Sequence, residues 1–184
     1  MEINRGLLKR HVTESNAIEN IFVRENHHLF MDHLAAAEFV VKSARDRGVV
    51  VTPEEIHRIL MGRELSDAGK IRTVRVWVGL HSKPRPEDTE KLMGQWKNSL
   101  QKNIQGGSLL TPEQKEKLAW HYHHWFEAIH PFRDGNGRTG RLILNNIRLL
   151  LGLSWLIVPF AARAQYYDSI RRWEAEHITL LNAE

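Results

Sequence analysis

The stretch HPFRDGNGRTGR, residues 130–141, places a glycine-rich turn directly before the apolar helical pattern of residues 142–150. Glycine adopts backbone dihedral angles that other residues avoid, so several N–H groups of such a turn can point into one concavity. The helix that follows adds its positive N-terminal end. The segment therefore predicts an anion site for which phosphate is the natural occupant. Its amides belong to Gly135, Asn136 and Gly137.

Polar side chains of the same segment indicate what the anion site could do. Arg138, Arg141 and Asn145 recur at helical spacing on one face near the helix start, and two guanidinium groups there suit a polyphosphate. Asp134 adds a carboxylate oxygen, and Mg²⁺ commonly binds one or two carboxylates together with substrate phosphates. His130 can be neutral near pH 7 and accept a proton from an attacking hydroxyl. The pattern favours a triphosphate site with a general base.

The rest of the chain predicts helices with one β-prone interval. Capping boxes with proline at the first helical position begin at Thr52 and Thr111. Residues 73–78 alternate polar and apolar before Gly79, which predicts one strand of a small hairpin packed on the helices as a flap. Helices are predicted over about 15–47 (a short one, then a long one), 53–62, 87–103, 112–130, 136–151 and 162 to near the C-terminus.

Composition excludes several kinds of site. The 184 residues include no cysteine, which rules out disulfides, thiolate metal sites and cysteine nucleophiles. A net charge of +4 is compatible with an anionic partner. No apolar run reaches membrane-spanning or signal-peptide length, which predicts a soluble, unprocessed, cytoplasmic protein. His121, His123 and His124 lack a carboxylate or cysteine at useful spacing, so we interpret them as helix surface or core rather than a zinc site.

Residues 130–141 resemble the signature of the Fic family, HxFx(D/E)GNGRxxR, at every specified position. The strand and the proline-rich segment within residues 70–86 resemble that family's target-binding flap, and the helix order also fits. The resemblance implies one all-α domain over residues 1–184, a helical bundle with a small β-hairpin flap over the active site. It also implies an enzyme that transfers AMP from ATP to a Tyr, Thr or Ser hydroxyl of a target protein, which could be the enzyme itself.

The same resemblance implies a role for each matching position. His130 would deprotonate the target hydroxyl, Asp134 would hold Mg²⁺, Arg138 would steady the triphosphate and Arg141 would bind its γ-phosphate. The glycine turn, with Asn136, would cradle the phosphates. Residues expected to dock the target on the flap are Thr73, Val74, Arg75 and Val76. Tyr167, in a late helix, is a candidate neighbour of the adenine.

A second motif lies far from the first. Ser15, Glu19 and Asn20 match the family's N-terminal inhibitory pattern (S/T)xxxE(G/N), which implies an inhibitory helix over about residues 13–24. A Glu19 carboxylate paired with Arg141 would remove the partner of the γ-phosphate. We therefore expect the resting enzyme to be weakly active.

Alternative functions stay open at this point. Relatives of this kind transfer other nucleotide or phosphate-containing groups, or remove AMP from modified proteins, and a glutamate in the inhibitory position can orient water in some of them. A basic, non-enzymatic module that binds nucleic acid is a further alternative, although the sequence lacks an exposed basic and aromatic stripe. The expected partners are ATP, a target protein and no membrane. Self-association is left open.

Overall fold

The computed structural model describes residues 3–46 and 48–181, and its architecture is almost entirely helical. Within these ranges no helix is both long and apolar enough to cross a membrane. The helices are α1 (Arg5–Ile18), α2 (His28–Asp46), α3 (Pro53–Met61), α4 (Pro86–Gln105), α5 (Pro112–Ile129), α6 (Asn136–Leu150) and α7 (Arg163–Glu176). The strands are β1 (Trp77–Val78) and β2 (His81–Ser82). Short 3₁₀ turns cover Gly107–Leu109, Phe160–Ala162 and Ile178–Leu181.

Helix α6 lies at the centre of the bundle. It packs against α1, α2, α3 and α5, while α4 and α7 pack on α5 from outside. Every residue from Arg138 to Arg148 in α6 is buried. Because the helix that follows the glycine turn is enclosed on all sides, the turn and the start of α6 are held by most of the bundle.

The two predicted capping boxes are confirmed. The side-chain oxygens of Thr52 and Thr111 each accept the backbone N–H three residues on, and the side chains at those positions, Glu55 and Gln114, bond back to the threonine N–H groups. Such a box satisfies two N–H groups that a helix start leaves without partners. Both helices therefore begin where the sequence indicated.

The predicted bounds of the N-terminal helix, about residues 13–24, differ from the structure. Helix α1 begins at Arg5, because the Asn4 side chain caps it by accepting the Leu7 N–H at 3.0 Å. The helix ends at Ile18, and Asn20 has a positive φ of 59°, which breaks helical geometry. Glu19 is thus the residue that caps the end of α1, and residues 21–24 are not helical.

The predicted strand over residues 73–78 is mostly wrong. Only β1 pairs with β2, antiparallel, with Trp77 opposite Ser82 and Val78 opposite His81. The Arg72 side chain explains the shortening: it donates to the carbonyl oxygens of Val74 at 2.9 Å and of Pro84 at 2.6 Å. These bonds hold the backbone on both sides of the hairpin around one guanidinium, so residues 73–76 run as an irregular segment.

Candidate active site

The loop between α5 and α6 is held in shape by the Asn136 side chain. Its Oδ1 accepts the Phe132 N–H and its Nδ2 donates to the Phe132 carbonyl oxygen, both at 2.8 Å. The Phe132 ring is fully buried and stacks on His57 at 3.9 Å between ring centroids. Asn136 was expected to help cradle phosphate. Its side chain instead closes the loop, which leaves only its backbone for that purpose.

We expect Asn136→Ala to destabilise the fold by about 2–4 kcal/mol, because it leaves a buried N–H and a buried carbonyl oxygen of Phe132 without partners. A urea unfolding curve measures the effect as a lower midpoint. Asn98→Ala, at an exposed position on α4, is the matched control and should leave the midpoint nearly unchanged. Equal midpoints for the two variants would contradict this role of Asn136.

The carboxylate of Glu19 occupies the predicted anion site. A Cβ atom built on Gly137 would lie 2.3 Å from Glu19 Oε1, so the carboxylate rests directly on the backbone of the first turn of α6. Gly135 precedes that turn with φ of 74°. A helix N-terminus favours a negative charge, and here a carboxylate from the end of α1 supplies it.

Arg141 holds that carboxylate from the other side. The guanidinium is 1% exposed, and its Nη2 donates to Glu19 Oε1 at 2.8 Å. Its Nε donates to Ser15 Oγ at 2.8 Å and its Nη2 also to the Ser15 carbonyl oxygen at 2.9 Å. A longer bond of 3.3 Å joins Nη1 to the hydroxyl of Tyr166. The structure thus brings Ser15, Glu19 and Arg141 together.

Arg138 is a buried cation with few partners. It is 4% exposed, and within the described residues neither its Nε nor its Nη1 has a hydrogen-bond partner. Burial lowers the pKa of Arg138. Asn145, predicted on the same face, turns away and bonds the backbone of Leu156 with both its Oδ1 and its Nδ2. Of the three polar side chains predicted on this face, the two arginines remain for an anion; Arg141 lines the cavity, whereas the unpaired donors of Arg138 are buried outside its lining.

The His130 ring lines a cavity of about 320 Å³ that also contacts Glu19, Gly137, Arg141 and Tyr167. Burial, helped by the nearby charge of Lys83, lowers the pKa of His130 to about 3, so the imidazole is neutral. Its Nδ1 lies 3.4 Å from the carbonyl oxygen of Glu127, an acceptor, which favours the tautomer with the proton on Nδ1. Nε2 is then free to accept a proton.

Backbone strain and an arginine set the position of His130. The residue ends α5 with φ of 53° and ψ of 61°, a left-handed conformation that is uncommon for residues other than glycine. Arg72 Nε donates to the His130 carbonyl oxygen at 2.8 Å, and the Arg72 N–H donates to that of Pro131 at 2.9 Å. The guanidinium that holds the hairpin therefore also holds the histidine.

Asp134 has a free carboxylate oxygen at the surface of the loop. It is exposed, and its Oδ1 accepts the Gly135 N–H while Oδ2 has no partner among the described residues. Within residues 3–46 and 48–181, no three His, Asp or Glu side chains lie close enough together to hold a metal ion by themselves. A single available carboxylate next to a phosphate site fits Mg²⁺, which takes its other ligands from phosphate and water.

The hairpin covers one side of the cavity. Trp77, Val78 and Gly79 line it, and Lys83 forms an ion pair with Glu174 of α7 that ties the hairpin to the opposite wall. The residues expected to dock a target precede β1. Thr73, Val74 and Arg75 are exposed and Val76 is half-buried.

The start of α7 holds the end of α1. Arg163 Nη1 donates to Asn20 Oδ1 at 2.9 Å, and its guanidinium lies 5.5 Å from the centroid of the Tyr167 ring. The Tyr167 hydroxyl donates to the Ile18 carbonyl oxygen at 3.4 Å. Tyr167, the expected neighbour of adenine, thus contacts the segment that carries Glu19, and its ring also lines the cavity.

A comparison with known protein families identifies the family of this chain. Residues 52–147, more than half of the chain, match the Fic/DOC family. The chain belongs to that family. The match covers the hairpin, His130 and the whole glycine turn of this Fic domain.

Solved structures show the same fold. The Fic domain is similar to a Fic-domain-containing signalling protein of Bacteroides thetaiotaomicron, with a TM-score of 0.79 at 21% identity over 94% of this chain and 74% of the other. It is also similar to Fic-1 of Caenorhabditis elegans, with a TM-score of 0.73 at 24% identity over 96% of this chain and 57% of that one. These likenesses confirm the predicted helical fold with its small hairpin.

Relatives by sequence carry a functional name. The protein adenylyltransferase Fic of Drosophila grimshawi is 37% identical over 121 residues, which are 64% of this chain and 23% of that protein. The protein adenylyltransferase fic-1 of Caenorhabditis elegans is 36% identical over 118 residues, 63% of this chain and 22% of that protein. The Fic domain therefore spans about a quarter of the length of these relatives.

Three buried side chains at the site were not predicted from the sequence. Tyr166 bonds Arg141 and lies next to His123, whose Nδ1 contacts the Gly140 carbonyl oxygen at 2.9 Å and whose Nε2 contacts the Tyr166 hydroxyl at 3.0 Å. Glu127 lines the cavity with its carboxyl group. Glu127 lies three residues before His130, which follows the end of α5, and this closeness in sequence is the signal that could have placed its carboxyl near the histidine.

Proposed function

We propose that this Fic domain transfers the AMP part of ATP to a hydroxyl side chain of a protein, and that Glu19 inhibits the transfer. The observation that carries the proposal is the buried Arg141, which faces the glycine turn and already binds an anionic group, the Glu19 carboxylate, at 2.8 Å. The relatives named protein adenylyltransferase support the choice of AMP as the transferred group.

The phosphate chain would lie along the start of α6. Arg141 would bind the γ-phosphate once Glu19 leaves, and the buried charge of Arg138, which acts on Glu19 in this structure, would attract the remainder of the triphosphate. The N–H groups at the α6 N-terminus would add to the cradle. Asp134 would hold Mg²⁺, which neutralises charge that develops on the phosphates. The adenosine would then extend toward Tyr167.

His130 would act as the general base. Its Nε2 takes the proton of the target hydroxyl as that oxygen attacks the α-phosphorus, and the bond from this phosphorus to the bridging oxygen of pyrophosphate breaks. The electron pair of that bond leaves with pyrophosphate, and the target carries AMP. Positioning and charge neutralisation supply most of the acceleration in such a step. The exposed residues 73–76 would dock the target beside the histidine.

Inhibition follows from competition for one guanidinium. The Glu19 carboxylate binds Arg141 at the first turn of α6, where the γ-phosphate would bind. ATP therefore binds productively only when the end of α1 moves. Ser15 adds two bonds that hold Arg141 in its inhibited position. The wild-type domain should therefore turn over slowly.

We expect Arg163→Ala to raise the transfer rate about 3- to 10-fold, because it removes the charge-assisted bond to Asn20 that holds the end of α1, worth about 1 kcal/mol. The rate of label transfer from α-labelled ATP measures it. Arg172→Ala, an exposed arginine of the same helix, is the control and should not change the rate. A decrease in rate for Arg163→Ala would contradict a holding role.

Removal of AMP from a modified protein is a second candidate function. Glu19 and His130 line the same cavity, so the carboxylate could orient a water for attack on a bound phosphodiester. A nucleic-acid-binding module has less support, since such a module presents its arginines to solvent and here Arg138 and Arg141 are buried.

Labelled nucleotides distinguish these functions. The Glu19→Gly protein is incubated with α-labelled or γ-labelled ATP, with its own chain and a cell lysate as acceptors. The proposal predicts protein-bound label from α-labelled ATP only. Label from γ-labelled ATP would indicate phosphorylation, and release of AMP from a modified protein by the wild type would indicate removal. No transfer to any acceptor would reject the proposal.

A further inference from the structure

Glu127 is a buried carboxyl group that none of the roles above uses. It lies in the last turn of α5, is 5% exposed and lines the cavity that also contains Glu19, His130 and Arg141. A Cβ atom built on Gly140 would lie 2.1 Å from Glu127 Oε1, so the carboxyl rests against the backbone of α6. Its place is beside the phosphate-binding face of that helix.

Within residues 3–46 and 48–181, nothing donates a hydrogen bond to the Glu127 carboxyl group, and its Oε1 is fully buried. The donors of Arg141 are directed to Ser15, Glu19 and Tyr166 instead. A buried polar group without a partner is costly, and at a functional site it commonly awaits a ligand. Oε1 faces the backbone of Gly140, so a ligand in the cavity would meet the other oxygen, Oε2, which is not fully buried.

We propose that Glu127 binds the nucleotide as a neutral carboxylic acid and donates a hydrogen bond to an oxygen of the phosphate chain. The inference rests on the proposed function, because it requires a triphosphate beside Arg141. A phosphate oxygen accepts hydrogen bonds but cannot donate to a carboxylate, so only the protonated form of Glu127 makes a favourable contact.

The surroundings favour that form. Burial raises the pKa of Glu127 to about 7, against the opposing charge of Arg141 on α6. Glu19 at the end of α1 and Glu174 of α7 act in the same direction as burial, and Lys83 of the hairpin acts against it. Triphosphate beside the carboxyl adds negative charge, which raises its pKa further in the complex.

Proton linkage gives the sign of the effect. The complex holds a proton that the free protein loses as the pH rises through about 7, so ATP affinity is full at lower pH and falls as the pH increases. Glu19→Gly removes one of the negative charges that raise the pKa of Glu127, so the fall in affinity begins at a lower pH in that protein. We expect ATP binding to it to weaken by about 10-fold or more between pH 6 and pH 8.5. Glutamine at position 127 keeps a neutral donor at every pH, so that dependence should largely disappear.

The experiment is calorimetric titration of ATP into Glu19→Gly proteins that carry Glu127, Glu127→Gln or, as a control, Glu113→Gln, an exposed position on the same helix. The ionisation of ATP contributes equally to the pH dependence of all three proteins. A difference in pH dependence between them therefore reports on residue 127. Loss of pH dependence in Glu127→Gln alone supports the inference, and equal pH dependence in all three overturns it.

Two further outcomes are separable. Absence of ATP binding in every protein would reject the proposed function and this inference with it. ATP binding with the same pH dependence in the presence and absence of Glu127→Gln rejects the inference alone.

If Glu127→Gln does not fold, titration of the Glu19→Gly protein at pH 7.5 in two buffers of different ionisation enthalpy counts protons directly. Net proton uptake supports the neutral carboxyl, and no uptake overturns it.

Discussion

Glu19→Gly is expected to transfer AMP about 10- to 100-fold faster than the wild type, because removal of one partner from a partly buried charge pair frees Arg141 for the γ-phosphate. The Glu19 side chain is 30% exposed, so we place the effect below that of a fully buried pair. Initial rates with α-labelled ATP, at equal protein concentration, measure it.

Two further variants separate charge from local structure. Glu19→Gln keeps the shape of the side chain but not its charge, and its rate should lie between the wild type and Glu19→Gly. Glu176→Gly changes an exposed glutamate at the end of α7 and should leave the rate unchanged. A Glu19→Gly rate equal to or below the wild-type rate would reject inhibition by this residue.

His130→Ala in the Glu19→Gly background should lower the transfer rate by about 10²- to 10⁴-fold while ATP binding stays within about 2-fold, because the imidazole acts on the attacking hydroxyl and not on the phosphates. The split between rate and binding is the informative readout. Single-turnover transfer measures the first and calorimetric titration the second.

The left-handed backbone at position 130 calls for a second variant. Alanine is strained at a φ of 53°, whereas asparagine adopts this conformation more readily, so His130→Asn tests the lost base with less disturbance of the loop. His27→Ala, at an exposed histidine before α2, is the matched control. Retention of most activity in His130→Asn would mean that another group accepts the proton.

The candidate site was largely predictable because its chemistry lies in one short segment. Glycines and arginines before an apolar helix indicate an anion site by local rules alone, and the structure places Gly137 and Arg141 around a carboxylate there. The partner of that site lies 122 residues away in sequence, in Glu19. Only the resemblance to a family, and no local rule, connected the two.

The errors in the predicted fold have a common cause. Residues 73–78 have strand composition, but Arg72 bonds carbonyl oxygens of the hairpin and of His130 and so replaces most of the expected ladder. Asn145 follows the helical spacing of the arginines, yet it bonds Leu156. In both cases a hydrogen bond from a side chain to a backbone group outside its own helix or strand, which the sequence does not reveal, overrides a local pattern.

A crystal structure of the Glu19→Gly protein with ATP and Mg²⁺ would test the central claim most directly. We predict that the terminal phosphate bonds Arg141 at the position of the Glu19 carboxylate and that the α-phosphorus faces Nε2 of His130. A nucleotide bound in reverse, or away from the first turn of α6, would contradict the account.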